Sequence, residues 1–319
     1  MSHSATVIVP TVGPERAARL LDSLSRASGT FDVIVVDNGT GAAELDRAAA
    51  TVEGARVLRL ESNLGYARAV NRAAGAAEGE ALVLLNDDSV VDGDYVERIT
   101  EALKPGSGVV MAAGVMRDAA EPGLIETAGI ELDRTLLAFD YLNGEPLAVL
   151  DGSVADPIGP SGAAAAFSRE AFQEIGGFDE GLFAYLEDVD LVLRMRMAGA
   201  SCRLASAARG LHEHSATLGA GSERKDYLMG YGRGYLLRKW GVITPRRLPA
   251  VLARELAIST GQAVVDRNLG GVRGRVRGLR AARPTEPYPP DGTLPDPPSL
   301  GATLGRRWRR RSRIRRNEA

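Results

Sequence analysis

The sequence predicts an α/β fold with a mainly parallel central sheet flanked by helices. Segments with helical spacing of apolar residues, such as 15–27, alternate with short runs rich in β-branched residues. Strands that alternate with helices imply crossover connections and a sheet that is covered on both faces. The predicted strands are 5–10, 31–37, 55–60, 81–85 and 109–115.

Polar and acidic residues directly follow three of these strands. Because ligand sites in parallel sheets lie at the carboxyl ends of the strands, we expect a site at this edge of the sheet. The residues are Asp37 and Asn38, then Ser62 and Asn63, then Asn86, Asp87 and Asp88.

Composition indicates an ordinary globular protein of one large domain or two smaller ones. The chain has 319 residues, of which 45 % are hydrophobic and 25 % charged. The single cysteine, Cys202, excludes an internal disulfide and fits a reducing compartment. No apolar run approaches the ~20 residues that span a bilayer, and the N-terminus lacks a signal-peptide layout. We therefore expect a cytoplasmic protein.

The net charge of −2 conceals a basic C-terminus, with eight arginines between Arg306 and Arg316. Such a run is typical of a solvated tail. It could equally tether the protein to anionic lipid at the inner face of the cell membrane, since each basic residue near the surface contributes ~1 kcal/mol. We expect no nucleic-acid partner, because zinc-finger spacing and interleaved aromatic residues are lacking.

Beyond the first strands and helices the pattern weakens, with a hairpin indicated within 130–141. A run of small residues then leads into a short helix and a Gly-Gly turn, and a longer helix is predicted at 187–198. The sequence divides into a main domain, a basic helical extension, and a Pro-rich linker with an Arg-rich tail that we expect to be disordered. Their bounds are 1–220, 221–283 and 284–319.

The segment LNDDSVV has two interpretations. A buried strand that ends in Asp87 and Asp88 would place two carboxylates at the sheet edge, where oxygen ligands suit magnesium or manganese. The same residues, with Ser89, also suit the N-cap of a helix. Spacing alone leaves both open.

The segment NLGYARAVN predicts a turn that leads into a helix. Gly65 can adopt backbone conformations closed to other residues, and a helix N-terminus favours a phosphate or another anion. Ala67 and Ala73 could instead serve packing alone.

The segment FAYLEDVDLVLRMRMAG sets Glu187, Asp188 and Asp190 among apolar residues. Buried without partners, three carboxylates would be costly. In the first turn of a helix the macrodipole favours them, and Asp190 could pair with Arg194 four residues on. Downstream, His212 and His214 lie two apart in a predicted loop, which suits contact with a metal or phosphate as well as a structural role.

Taken in order, these motifs resemble the inverting family-2 glycosyltransferases, especially their rhamnosyltransferase-like branch. The resemblance extends from about Thr6 to Gly219 and is most specific in GGFDEGLFAYLEDVDLVLR. It implies the GT-A fold over 1–220. It also implies that Asp188 is the catalytic base and that Glu187 contacts the acceptor or orients the loop.

Further roles are implied by the same resemblance, residue by residue. Asp88 and His212 would hold Mn2+ or Mg2+. Acceptor or sugar contacts fall on Ser161, Gly162, Tyr185 and Glu187. Nucleotide or donor contacts fall on Pro10, Thr11, Asp37, Asn38, Asn63, Gly65, Asn71, Asn86 and Asp87, with Asp37 accepting from the base.

The resemblance leaves the substrates open. It favours dTDP-rhamnose as donor, with UDP- and GDP-sugars as alternatives, and a cell-envelope or lipid-linked glycan as acceptor. A soluble natural product or peptide is another possible acceptor, and a nucleotidyltransferase or a non-catalytic binding module is another possible function. One departure concerns the aromatic-Asn-Arg turn that the family has after the first strand, where this chain has Val12 and Gly13. Arg16 could compensate for the missing side chains.

Overall fold

The computed structural model describes residues 5–212 and 222–290, and within them nine strands form one sheet. The order across the sheet is β3-β2-β1-β4-β10-β6-β11-β5, with β7 paired to β6, and β8 and β9 form a separate hairpin. The strands are β1 Ala5–Thr11, β2 Phe31–Asn38, β3 Ala55–Leu60, β4 Ala81–Leu85, β5 Ser89–Val91, β6 Val109–Asp118, β7 Ile125–Thr127, β8 Ile130–Leu132, β9 Ala138–Asp140, β10 Ala164–Ser168 and β11 Ser201–His212.

Helices cover both faces of the sheet, as the strand–helix alternation predicts. Alternate residues of a strand face opposite sides, so Val7 packs in one hydrophobic cluster and Ile8 in the other. The helices are α1 Pro14–Leu24, α2 Glu44–Ala49, α3 Tyr66–Gly75, α4 Tyr95–Glu101, α5 Arg169–Glu174, α6 Glu187–Met197, α7 Glu223–Lys239, α8 Leu248–Val265 and α9 Gly270–Ala281.

The parallel part of the sheet comprises β3, β2, β1 and β4, whose strands the sequence located to within one residue at each end. Beyond β4 the sheet is mixed. The small-residue run that precedes the short helix forms β10, which pairs antiparallel with both β4 and β6. Strand β11, which the periodicity did not indicate, pairs parallel with β6 and ends at His212, so this histidine terminates a strand and does not lie in a loop.

The segment after β4 is not a helix cap. Ser89–Val91 forms β5, which pairs antiparallel with β11, so Asp87 and Asp88 occupy a tight strand-to-strand turn. Ser89, the first residue of β5, pairs with His212 in the register. The turn therefore brings Asp88 beside the end of β11.

Helices α7, α8 and α9 pack against the sheet-containing part of the chain. Trp240, just after α7, is fully buried in the same cluster as α3, α5 and α6. Its indole N–H donates to Asp190 in α6 at 3.0 Å. No helix within the described residues is both long and apolar enough to cross a bilayer.

Candidate functional site

A cleft of about 1130 Å³ opens at the carboxyl ends of β1 and β4. It collects side chains from segments that are far apart in the chain, as the resemblance implies. Fourteen of the predicted site residues line it: Pro10, Thr11, Asn38, Asn63, Gly65, Asn86, Asp87, Asp88, Ser161, Gly162, Tyr185, Glu187, Asp188 and His212. Asp37 and Asn71 are not among its lining residues.

Asp87 is fixed by the first strand. The Thr11 hydroxyl donates to Asp87 Oδ2 at 2.6 Å, and Arg16 Nε donates to Oδ1 at 3.4 Å. Burial raises the pKa of Asp87, while the bonds from Thr11 and Arg16 oppose that shift. The loop after β1, which departs from the family pattern, thus supplies Arg16 to the acidic turn. Val12 is more than one-third exposed and lines the cleft.

Asp88 and Glu126 bracket His212. His212 Nε2 lies 2.9 Å from Asp88 Oδ1, and His212 Nδ1 lies 2.8 Å from Glu126 Oε2. Burial alone would lower the pKa of His212, but the two carboxylates outweigh it and raise the pKa to about 10. The two carboxylates therefore favour the protonated form of the imidazole between them.

These side chains fit a divalent cation. Asp88 offers a carboxylate oxygen and His212 offers Nε2, while Glu126 holds the other ring nitrogen, the arrangement that orients metal-binding histidines. In residues 5–212 and 222–290, no group of three or more His, Cys, Asp or Glu side chains is arranged as a metal site. Two protein ligands suit magnesium or manganese, which keep waters and take further oxygens from substrate phosphates.

The turn before α3 shapes another wall of the cleft. Asn38 Oδ1 accepts the Leu64 amide at 2.8 Å, and Asn63 Oδ1 accepts the Gly65 amide at 3.0 Å. Gly65 has φ of 86°, and a Cβ there would lie 2.3 Å from the Phe183 carbonyl oxygen. Only glycine fits this position, so the turn can lie directly against the loop that leads to α6.

Other groups of the protein donate hydrogen bonds to both carboxylate oxygens of Asp37. Its Oδ1 accepts the Thr40 amide and hydroxyl at 2.8 and 2.6 Å, and its Oδ2 accepts the Gly41 amide and Arg59 Nη1 at 3.0 and 2.8 Å. Burial would raise the pKa of Asp37, but the Thr40 and Arg59 bonds outweigh it and lower the pKa. Both oxygens carry two hydrogen bonds, so this geometry supports a turn-forming role. The base-accepting role stays a prediction.

Asn71 holds the loop that follows the Gly-Gly turn. Its side chain donates to the Phe178 carbonyl at 2.9 Å and accepts the Phe178 amide at the same distance. This pair of bonds ties α3 to the segment before α6. Asn71 therefore acts on the cleft only through the loop that it holds.

The loop enters α6 through two left-handed residues. Tyr185 has φ of 69° and Leu186 has φ of 68°, although neither is glycine. Non-glycine residues in this region cost about 1–3 kcal/mol each and occur at functional sites. Burial raises the pKa of Tyr185, and the charges of Glu187 and Asp88 add to that effect, so this phenol lies near both acidic groups.

Asp188 is buried and held by backbone amides. Its Oδ2 accepts the Gly162 amide at 2.9 Å, and its Oδ1 accepts the Val189 amide at 2.8 Å. Burial raises the pKa of Asp188, and these two bonds oppose the shift. The amide bonds fix the orientation of the carboxylate at the head of α6.

Glu187 has a different environment. Burial, with the adjacent charge of Asp188, raises the pKa of Glu187 to about 8, so its carboxyl is mostly protonated at neutral pH. Its Oε2 and the Ser161 hydroxyl are buried and lack a hydrogen-bond partner among the residues that the structure describes. Both groups line the cleft. Polar groups of this kind are ready to bond a ligand hydroxyl.

Asp190, the third acid of the segment, has a structural role. It accepts from Arg194 Nε at 2.9 Å, which confirms the expected pair, and from Lys239 Nζ at 2.8 Å. The three acids at the head of α6 are therefore accommodated in three ways. Burial favours the protonated form of Glu187, Asp188 accepts hydrogen bonds from backbone amides, and Asp190 is ion-paired.

Several residues that line the cleft are not predicted by the sequence motifs. Tyr66 donates to the Gly162 carbonyl at 2.8 Å, and Glu126 contacts His212. Arg224 and Lys225 at the start of α7 bring positive charge, and Lys225 Nζ lies 5.9 Å from the Tyr185 ring centroid. Tyr66 directly follows the NLG turn, so its place in the cleft was predictable from the sequence. Glu126 and Lys225 lie in segments without a motif, so only the fold brings them here. His214 lies outside the described residues.

Comparisons with known proteins give the chain a family and a fold. The model of the family described as glycosyl transferase family 2 matches residues 6–176, more than half of the chain. The O-antigen biosynthesis protein RfbC of Myxococcus xanthus is 28 % identical over 245 residues, which cover 71 % of this chain and 18 % of that protein. The chain spans less than a quarter of the length of two curated relatives that it matches.

A second relative is similar in size. The N-acetylglucosaminyl-diphospho-decaprenol L-rhamnosyltransferase of Mycobacterium tuberculosis is 27 % identical over 247 residues, covering 69 % of this chain and 79 % of that protein. Among solved structures, GalNAc-T7 with UDP, GalNAc and Mn2+ aligns with a TM-score of 0.61 at 14 % identity, over 88 % of this chain and 55 % of that chain. That likeness concerns the fold alone, and the predicted GT-A fold is confirmed. The chain belongs to glycosyl transferase family 2.

Proposed function

We propose that the protein transfers a sugar from a nucleotide-diphosphate donor to an acceptor hydroxyl, with inversion at the anomeric carbon. One observation supports this most strongly. Asp88 and His212, 2.9 Å apart, lie in the same cavity as Asp188, a buried carboxylate that backbone amides hold in place. An inverting, metal-dependent sugar transferase uses both features, the first pair of residues for the leaving diphosphate and the carboxylate for the nucleophile.

The donor side of the cleft comprises the β1 and β4 ends and the Gly65 turn. Backbone and amide groups there offer hydrogen bonds to a nucleoside, and Asp87 is held by Thr11 for contact with the ribose or with metal waters. Asp88 and His212 would hold Mn2+ or Mg2+, which supplies positive charge to the leaving diphosphate when bound. Arg224 adds positive charge to the same cavity, as does Lys225, whose pKa burial lowers.

The acceptor side centres on Asp188. An acceptor hydroxyl gives up its proton to Asp188 as its oxygen bonds to the anomeric carbon, and the bond from that carbon to the diphosphate oxygen breaks. The raised pKa of Asp188 makes it a stronger base at neutral pH than an exposed aspartate. Protonated Glu187 and the Ser161 hydroxyl would bond the acceptor or the transferred sugar.

The substrates follow from the relatives as part of the proposal. The rhamnosyltransferase relative favours rhamnose as the sugar and a lipid-linked glycan as acceptor, and the O-antigen relative favours the cell envelope. The resemblance of the motifs favours dTDP as the nucleotide of the donor. UDP- or GDP-sugars and a soluble acceptor are the alternatives. We place the protein in the cytoplasm, with peripheral contact to anionic membrane through the Arg306–Arg316 run, which lies outside the described residues.

An Asp188→Asn variant tests the assignment of the base. The amide keeps the size of the side chain but cannot take the proton, so kcat should fall by about 10²–10⁴-fold while donor affinity changes little. Transfer of sugar from dTDP-rhamnose to a polyprenyl-diphosphate-linked GlcNAc, with Mn2+ present, measures it. The matched control is Asp22→Asn, an exposed acid in α1. A variant that folds, binds donor and keeps full kcat would exclude Asp188 as the base.

A further inference from the structure

Helix α8 exposes apolar side chains and turns its two charged side chains inward. Its outer stripe is Leu248, Leu252, Leu256 and Val264, whose exposed fractions are 39, 58, 70 and 69 %. Leu248, Leu252 and Leu256 recur at intervals of four and so share one face of the helix, and Val264 extends the exposed apolar surface round the helix towards its C-terminal end. The side chains that an isolated surface helix would turn to water are turned inward here.

The two charged residues of α8, Arg254 and Glu255, turn inward beside the buried Val251. Arg254 pairs with buried Asp133. Glu255 accepts from Arg233 Nε and from Arg275 Nε, each at 2.7 Å. These ion pairs fix the rotation of α8 on the protein. The exposed leucines are therefore held outward by the fold and do not result from a loosely placed helix.

The neighbouring helix α9, which contacts α8, also exposes apolar and basic side chains. Val272 and Val276 are 39 and 43 % exposed, and Arg273, Arg277 and Arg280 are exposed beside them. Helix α9 contains no acidic residue. An apolar stripe next to a basic one matches the interface of an anionic bilayer, which offers hydrocarbon and negative headgroups together. A second copy fits less well, because the arginines of two copies would face each other.

We propose that this α8–α9 surface, comprising the outer stripe of α8 and the exposed valines and arginines of α9, docks on an anionic lipid bilayer. The leucines of α8 insert among the acyl chains near the headgroups, while the arginines of α9 contact the lipid phosphates. Docking is independent of the Arg-rich tail, because it uses apolar burial that salt does not screen.

The position of α8 connects this surface to the cleft. Ile258, Gly261 and Val265 of α8 line the same cavity as Asp88 and Asp188. A docked α8 therefore places the mouth of the cleft at the bilayer surface. An amphiphilic acceptor could then stay in the membrane while its polar head enters the site, a consequence that rests on the proposed function. The docking itself does not rest on it.

Vesicle flotation of the full chain tests the docking. The double variant Leu252→Ser/Leu256→Ser should lower partition into phosphatidylcholine–phosphatidylglycerol vesicles at least tenfold at 0.5 M salt, where charge contacts are screened. The control Val90→Ser changes an exposed apolar residue on β5 and should partition like the wild type. Equal flotation of the double variant and wild type at high salt would overturn the proposal. Unchanged donor binding by the double variant would separate a docking defect from a failed catalytic site.

A position-specific probe tests which face meets the lipid. The only cysteine, Cys202, is buried, so a thiol placed by Leu256→Cys can be labelled selectively with an environment-sensitive fluorophore. Its emission should shift to the blue on addition of the vesicles, whereas the same label at Arg47→Cys, on exposed α2, should not respond. Flotation without a shift at position 256 would overturn the proposal. So would a wild-type dimer in light scattering that the double serine variant dissociates, since the face would then be a subunit interface.

Discussion

Glu187 and Asp188 are consecutive carboxyl groups in one buried pocket, yet their surroundings separate their roles. Amides of Gly162 and Val189 bond both oxygens of Asp188 and favour its ionised form. Glu187 has one oxygen without a partner among the described residues, and its pKa of about 8 keeps it protonated. Two acids whose environments differ in this way can act as a base and a hydrogen-bond donor at the same pH.

The raised pKa of Glu187 predicts a pH-dependent stability difference. The folded protein binds this proton more tightly than the unfolded chain, whose glutamate has an ordinary pKa of 4.5. The stabilising contribution is therefore complete below pH 4.5 and is lost as the pH rises towards 8. Relative to wild type, Glu187→Gln should gain ~2 kcal/mol between pH 5 and 8, less than the full linkage value because buried sites relax.

Urea denaturation of the two proteins at pH 5, 6.5 and 8 measures that difference. The other titrating groups are common to both proteins and cancel in the comparison. Glu170→Gln, which changes an exposed acid in α5, should run parallel to wild type over the same range. Parallel curves for Glu187→Gln would mean that Glu187 is already ionised at pH 5.

Some contacts of single residues are not indicated by the sequence. Asp37 follows β2 as expected, but Thr40, Gly41 and Arg59 occupy both of its oxygens. The bonds from Thr40 and Gly41 are local, so the DNGTG run could have indicated a turn. Arg59 comes from β3, and no sequence spacing indicates it. Glu126 likewise reaches His212 only because β7 pairs with β6.

At the scale of elements, α6 and α7 are joined by a buried ionic cluster. Lys239 Nζ lies 2.8 Å from Asp190 Oδ1 and 2.6 Å from Asp179 Oδ2, and Trp240 also donates to Asp190. Asp190 is fully buried. The cluster fixes the head of α6, with Glu187 and Asp188, against the C-terminal helices. The position of the proposed base thus depends on a segment far from it in sequence.

Replacing Lys239 by methionine should destabilise the protein by about 3 kcal/mol. The substitution keeps the volume of the stem but leaves the buried Asp190 and the half-buried Asp179 without their shared cation. The midpoint of urea denaturation measures the loss. Lys104→Met, at an exposed lysine, should stay within about 0.5 kcal/mol of wild type. A loss below 1 kcal/mol in Lys239→Met would contradict the structural role of the cluster.

Strands could be predicted from the sequence where one local pattern of residues dominates. Continuous apolar runs located β1 to β4, because strands buried on both faces need no polar alternation. Alanine is a weak strand former, so the AAAAF run gave no indication of β10. Strand β11 interrupts its apolar residues with Arg203 and Arg209, and its pairing with β6 joins segments about 90 residues apart. The same pairing makes His212 the end of a strand.

At the scale of the whole molecule, the cleft is assembled from both ends of the described chain. The sheet supplies the acids and the glycine turn, and α7 and α8 supply Arg224, Lys225 and an apolar wall. The predicted boundary at 220 therefore separates two regions that share one cavity and one hydrophobic core. We propose that they act as a single unit, with the docking surface of α8 on its outside and the cleft within.

Donor binding by titration calorimetry tests the central claim most directly. The titrations use dTDP-rhamnose, UDP-glucose, UDP-galactose, UDP-GlcNAc and GDP-mannose, with and without Mn2+, against wild type, Asp88→Asn and the control Asp22→Asn. We expect one donor to bind wild type and the control with Mn2+, and its affinity to fall at least tenfold without the metal or in Asp88→Asn. If no donor binds wild type with Mn2+ present, or if binding is unchanged in Asp88→Asn, the proposed nucleotide-sugar site is wrong.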